Sequence, residues 1–146
     1  GEVIMEGTIR SLDKEVGEFI FNRIKDIVES TAKMFRGEAK LIELSSVPPL
    51  ANDTDLAKEV TSYVKDLVGE RAVCLFEGGG MGSEDFASYS YEVPSVYLML
   101  GAGTKQENPL YGEPMHNEKV VFNEDILVTG AAMHAYCAIM WVKNNK

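Results

Sequence analysis

Apolar and polar positions along the chain change period several times, and each change marks a predicted element. Residues 2–10 alternate only in part but are rich in Val3, Ile4, Thr8 and Ile9, the composition of a strand. Across 13–36, Val16, Ile20, Ile24, Ile27, Val28 and Phe35 recur at three- and four-residue steps. That spacing predicts an amphipathic helix, with Gly37 as its left-handed stop. Residues 38–47 read as a second strand, ended by Pro48 and Pro49. Strand, helix and strand in that order demand a crossover connection and predict a small sheet with one helix laid on it.

The segment Pro48-Pro49-Leu50-Ala51-Asn52-Asp53 changes the composition and marks a domain boundary. Beyond it, Asp53 or Thr54 can cap a helix whose apolar stripe is Leu56, Val60, Tyr63, Val64, Leu67 and Val68, stopped by Gly69. Residues 72–76 read as a short buried strand and lead into a glycine-rich loop, 77–85. Residues 95–100 are a second continuous apolar strand. A long polar loop follows over 104–119, of a length that is usually functional or disordered. After a short strand at 120–122, Asn123 caps a last helix over 126–142, with Glu124 and Asp125 placed to suit its dipole. That helix is apolar on nearly every side, so other layers must cover it.

Apolar strands alternating with helices predict the α/β class: an α+β portion followed by part of a mixed sheet covered on both faces. Only two convincing strands follow residue 52, too few to cover the last helix and still make a sheet. The expected fold is therefore incomplete, a piece of a two-domain protein, and the start at Gly1 rather than Met agrees with a piece.

Composition narrows the partners. The chain has 146 residues, 45% hydrophobic and 25% charged, ordinary for a soluble domain. Acidic residues outnumber basic ones 23 to 14, for a net charge of −9, and no basic cluster is present. A nucleic-acid partner, which needs clustered Lys and Arg, is not expected. Neither is a membrane, because the most apolar run, 131–142, falls short of the roughly 18 residues that span a bilayer. No signal-peptide pattern is visible. Cys74 and Cys137 sit among apolar neighbours and read as buried thiols of a reducing cytoplasm, with no disulfide implied by their spacing.

Few residues could carry chemistry. His116, at the end of the long loop, suits a metal ligand or general base, although a solitary loop imidazole is more often plain surface. His134 lies inside the apolar last helix and reads as structural, a core or helix-surface histidine. In the glycine loop, Gly82 and its neighbours allow close backbone approach. Ser83 can cap a short helix there, and Glu84 and Asp85 are adjacent carboxylates at its start, able to orient a ligand or merely to suit the dipole. The loop lacks the glycine spacing of a dinucleotide site and the Gly-Lys-Ser/Thr ending of a phosphate loop. Arg10 could clamp a carboxylate through two parallel hydrogen bonds, or be a surface arginine at a strand end. Neither a Ser-His-Asp nor a Cys-His arrangement is present.

Four motifs occur in order: Gly7-Thr8-Ile9-Arg10-Ser11, Val47-Pro48-Pro49-Leu50-Ala51-Asn52-Asp53, Met81-Gly82-Ser83-Glu84-Asp85-Phe86-Ala87, and Met115-His116-Asn117 with Asn123-Glu124-Asp125-Ile126-Leu127. Together they resemble the C-terminal third of metal-dependent amidohydrolases of the aminoacylase, hippurate hydrolase and indoleacetyl-amino-acid hydrolase type. The resemblance implies that residues 1–51 are the second half of a lid, or dimerisation, domain, and that 52–146 return into the catalytic domain. It implies two divalent metal ions, zinc or manganese, with His116 as the last histidine ligand. The other ligands and the general-base glutamate would lie upstream, leaving no catalytic base in this chain, and the piece alone would be inactive. Gly82, Ser83, Glu84, Asp85 and Arg10 would line the pocket of a small-molecule amide substrate. The lid would make a cytoplasmic homo-oligomer. The rival readings are a dipeptidase or aminobenzoyl-glutamate hydrolase of the same family, and a non-catalytic module that dimerises through its β-α-β unit.

Overall fold

A computed structural model describes residues 1–76 and 78–146; Glu77, at the start of the predicted glycine loop, lies outside the described residues. The chain forms two compact units, Gly1–Asp53 with Phe76–Ser95, and Thr54–Leu75 with Val96–Lys146.

The first unit is organised by helix α1, Lys14–Met34. Its start is a side-chain cap: the Asp13 carboxylate accepts from the Val16 N–H at 2.8 Å, satisfying a donor that the first turn leaves without a helical partner. Its end differs from expectation. The left-handed residue is Arg36, at φ 57°, not Gly37. The Gly37 N–H reaches back to the Ala32 carbonyl at 2.9 Å and the Arg36 N–H to Lys33 at 3.1 Å, the paired closure of a Schellman motif. That pattern fixes which residue must turn left, and here the position falls one residue before the glycine. The Lys14 ammonium lies 5.4 Å from the centre of the Tyr91 ring, which ties the start of α1 to the segment after α3, Ala87–Ser90. The Asp53 N–H, donating to the Ser95 carbonyl at 2.9 Å, joins the two stretches of chain where they leave this unit.

The second unit is built on α2, Thr54–Val68, and α4, Ile126–Asn144. Tyr63 and Val64 of α2 are buried, and Gly69, at φ 86°, ends the helix as its position predicts. Tyr63 donates its hydroxyl proton to Glu59 and accepts from the Asn144 amide at 3.0 Å, while Asn145 donates to Glu59 at 2.8 Å. This network fastens the end of α4 to α2. Burial, and then the bond to Glu59, push the Tyr63 phenol above its usual range. Gly130 admits Leu100 against α4, where an added Cβ would stand 2.9 Å from Cδ2.

Other expectations change here. Helix α4 begins at Ile126 and runs to Asn144, longer than 126–142, and is long and apolar enough to cross a bilayer by length and composition. The apolar run 131–142 is thus only part of a 19-residue helix, and its shortness does not speak against a bilayer span. A core helix has the same composition. No α4 residue is buried, and Val128 is 77% exposed. The Asn123 side chain accepts from the Asp125 N–H at 3.0 Å, an Asx turn ahead of the helix rather than its N-cap. Cys74 is exposed and Cys137 half-buried, so the expected burial fails for Cys74, whose neighbours Leu75 and Phe76 are exposed too. Among the described residues, 2–10, 38–47, 73–76, 95–100 and 120–122 lie in no helix and pair in no strand ladder.

Candidate functional site

In the first unit the structure brings Arg10 to the glycine loop. Its guanidinium donates to the main-chain carbonyl of Met81, across 71 residues of sequence. Nearby, Gly79 takes the Leu12 side chain so closely that an added Cβ would stand 3.1 Å from Cδ2. Two contacts thus set the end of the 2–12 segment on the loop that carries Gly82, Ser83, Glu84 and Asp85. The bond uses a carbonyl, which no side-chain pattern announces, so sequence reasoning could not have found Met81.

Within the loop the roles shift. Ser83 does not cap α3, which has no side-chain cap. Glu84 instead closes the turn ahead of α3, accepting from the Phe86 N–H at 3.3 Å through its carboxylate and from the Ala87 N–H at 3.0 Å through its carbonyl. Glu84 is half-buried, whereas Gly82, Ser83 and Asp85 are exposed. The Glu84 carboxylate is thereby engaged in shaping the turn, and Ser83 and Asp85 are the polar groups it presents to solvent. A shallow open groove beside α3, lined by Asn52, Asp53, Tyr91 and Glu92 among others, also belongs to this unit.

His116 stands in the second unit, on the loop between the Ala102 and Asn123 backbones, which the Asn123 N–H closes onto Ala102 at 2.8 Å. It is exposed, and its φ of 65° is left-handed, unusual for a residue with a side chain. The Asn117 amide donates to Glu113 at 3.3 Å, spanning it. His134 is also exposed, on α4, so it is a surface histidine rather than a core one. Among the described residues no three His, Cys, Asp or Glu side chains converge as a metal site.

Residues 2–139 match the family model of peptidase family M20/M25/M40. The chain belongs to that family. It is 31% identical over 128 residues to an uncharacterized hydrolase of Sinorhizobium fredii, covering 87% of this chain and 30% of that protein. It is 29% identical over 135 residues to thermostable carboxypeptidase 2 of Saccharolobus solfataricus, covering 92% and 33%. An Arabidopsis thaliana IAA-amino acid hydrolase is 31% identical over 125 residues, covering 83% and 28%. The chain thus spans about a third of the length of these relatives. As one donor to the metal site that this M20-type resemblance implies, the exposed His116 imidazole fits. Zinc takes three or four protein donors per site, so the rest of the set would come from outside the described residues.

Proposed function

We propose that this chain is the C-terminal part of an M20-type hydrolase that cleaves the amide bond of N-acyl or aminoacyl amino acids. The observation that carries the reading is the family match over residues 2–139, reinforced by the Arg10 contact that sets a guanidinium on the loop bearing Ser83 and Asp85. Residues 1–51 are the returning half of a lid domain through which the protein forms a homo-oligomer. Residues 52–146 complete an α/β catalytic domain whose other strands and helices lie elsewhere in the protein. This accounts physically for apolar segments that find no ladder partner and for an α4 without a covering layer. On this reading the protein works in the cytoplasm, with neither nucleic acid nor membrane as partner.

Arg10 has five N–H donors in a rigid fork, and the Met81 carbonyl engages one nitrogen and so orients the plane. The remaining donors suit the carboxylate of the amino-acid half of a substrate. Ser83 and Asp85 offer a hydroxyl and a carboxylate on the same loop. His116 would give an imidazole nitrogen to one of two divalent ions, zinc or manganese. When bound, that pair supplies Lewis-acid polarisation of the scissile carbonyl. The general base comes from outside this chain, and the isolated piece is inactive. A second reading, cleavage of a peptide rather than an acyl amide, is favoured by the name of the carboxypeptidase relative and uses the same groups.

The test is His116→Ala in the full-length protein. Most activity on N-acetyl amino acids and about one metal equivalent should be lost, with melting changed mainly through the lost metal linkage. His134→Ala, on the exposed face of α4, should keep its metal. The reverse pattern, metal lost with His134 and retained without His116, would refute the assignment.

A further inference from the structure

The loop that carries His116 is braced from within by contacts that the proposed reaction does not use. Gly103, at φ 112°, seats the side of the Tyr111 ring: an added Cβ there would stand 2.9 Å from Cγ and 3.1 Å from Cε2. A side chain at Gly103 is thus excluded twice, by the backbone conformation and by the ring. Tyr111 belongs to a single 3-10 turn, Pro109–Gly112, opened by the Asn108 side chain, which accepts from the Leu110 N–H at 3.0 Å. The Lys105 methylenes lie against Gly112, where a Cβ would collide with them. Thr104 closes the other corner, its N–H and hydroxyl donating to Glu107 at 2.7 and 2.9 Å. From this turn the chain passes directly to Glu113, which Asn117 clasps from the far side of His116.

We infer that Tyr111, seated on Gly103, is a positioning residue for His116. The inference rests on the metal-donor reading of His116 given above and deepens it. A left-handed backbone at a residue with a side chain, as His116 has at φ 65°, persists only where its surroundings over-determine it. The 109–112 turn, which ends four residues before His116, is pinned by the ring on one side and by the Lys105 stem on the other. Without the ring, the turn can swing about the 101–103 backbone, and His116 and its imidazole swing with it. Among the described residues the Tyr111 hydroxyl makes no hydrogen bond, so the ring itself carries the effect.

The experiment uses the full-length protein and Zn2+ alone as probe. Tyr111→Ala, Tyr111→Phe, Gly103→Ala and His116→Ala are equilibrated across a buffered series of free zinc, and bound equivalents are counted. In parallel, the rate of proteolytic cutting within 104–119 is followed. Tyr111→Ala and Gly103→Ala should each raise the free-zinc midpoint of one equivalent by about tenfold, the scale seen when a ligand loses its orienting partner. The other equivalent should hold its wild-type midpoint, which general damage to the fold would not allow. Both variants should also be cut faster, and Tyr111→Phe should match wild type in both measurements. If Tyr111→Ala and Gly103→Ala keep the wild-type midpoint while His116→Ala loses an equivalent, positioning by Tyr111 is overturned and the metal assignment stands. If His116→Ala keeps both equivalents, the assignment and this inference fall together.

Discussion

The end of α1 allows a sharp test, because sequence and structure assign the left-handed position to different residues. Arg36 holds φ 57°, and its side chain makes no hydrogen bond or ion pair among the described residues. The left-handed conformation costs a residue with a Cβ roughly 1–2 kcal/mol. Replacement by glycine removes that cost but adds unfolded-state entropy of about 0.4–1 kcal/mol. It also forfeits a few tenths of a kcal/mol of favourable charge at the helix C-terminus, at the weak end of the ~0.3–1 kcal/mol range for exposed sites. Arg36→Gly should therefore stabilise the chain by about 0.5 kcal/mol, and should exceed Arg36→Ala by about 1 kcal/mol, since alanine keeps the strain. Gly37 is not left-handed, and a Cβ there would meet the Ala32 carbonyl oxygen at an ordinary 3.6 Å. Gly37→Ala should be neutral or stabilising by up to about 0.5 kcal/mol. Urea unfolding of the four proteins, followed by far-UV circular dichroism, gives the order directly. If Gly37→Ala loses ~1 kcal/mol or more and Arg36→Gly matches Arg36→Ala, the glycine is the left-handed residue and the reasoning from the hydrogen-bond closure is wrong.

Two further outcomes follow from the same structure. Asp13→Ala should cost about 1 kcal/mol in the same unfolding assay, while Asp13→Asn, which can still accept from the Val16 N–H, should cost less than half of that; equal losses would mean that the cap is not the cause. Burial raises the Cys137 thiol above its usual range, so less thiolate is present at any pH below it, whereas Cys74 is exposed. Iodoacetamide at mildly alkaline pH should therefore label Cys74 first, with Cys137 catching up only as pH rises, and equal labelling rates read by mass spectrometry would contradict the burial.

The three longer helices were legible because their causes are local. Apolar side chains at three- and four-residue steps, Asp13 ahead of α1 and Gly69 after α2 act within a turn or two of the residues they organise. Family membership was legible as well, since ordered motifs survive in the chain whatever surrounds them. The left-handed end of α1 was misplaced by one residue because glycine is only a preference, whereas the closure of the last carbonyls decides which residue turns. The Ser83 cap is absent for a similar reason: the backbone path sets the Glu84 carboxylate, not the Ser83 hydroxyl, against the Phe86 N–H.

What the sequence by itself determined is the positions of the helices, the net charge of −9, and the family. Only the tertiary structure decided that Arg10 meets the Met81 carbonyl across 71 residues, that Tyr111 sits on Gly103, and that His116 is held left-handed. The physical reason is range. Helical hydrogen bonds close over four residues and leave a periodic trace in composition. A guanidinium on a carbonyl, or a ring over a glycine, depends on where distant backbone arrives in space. The segments read as strands belong to that second kind, because a strand is defined by a partner and its own residues can supply only one side of the ladder.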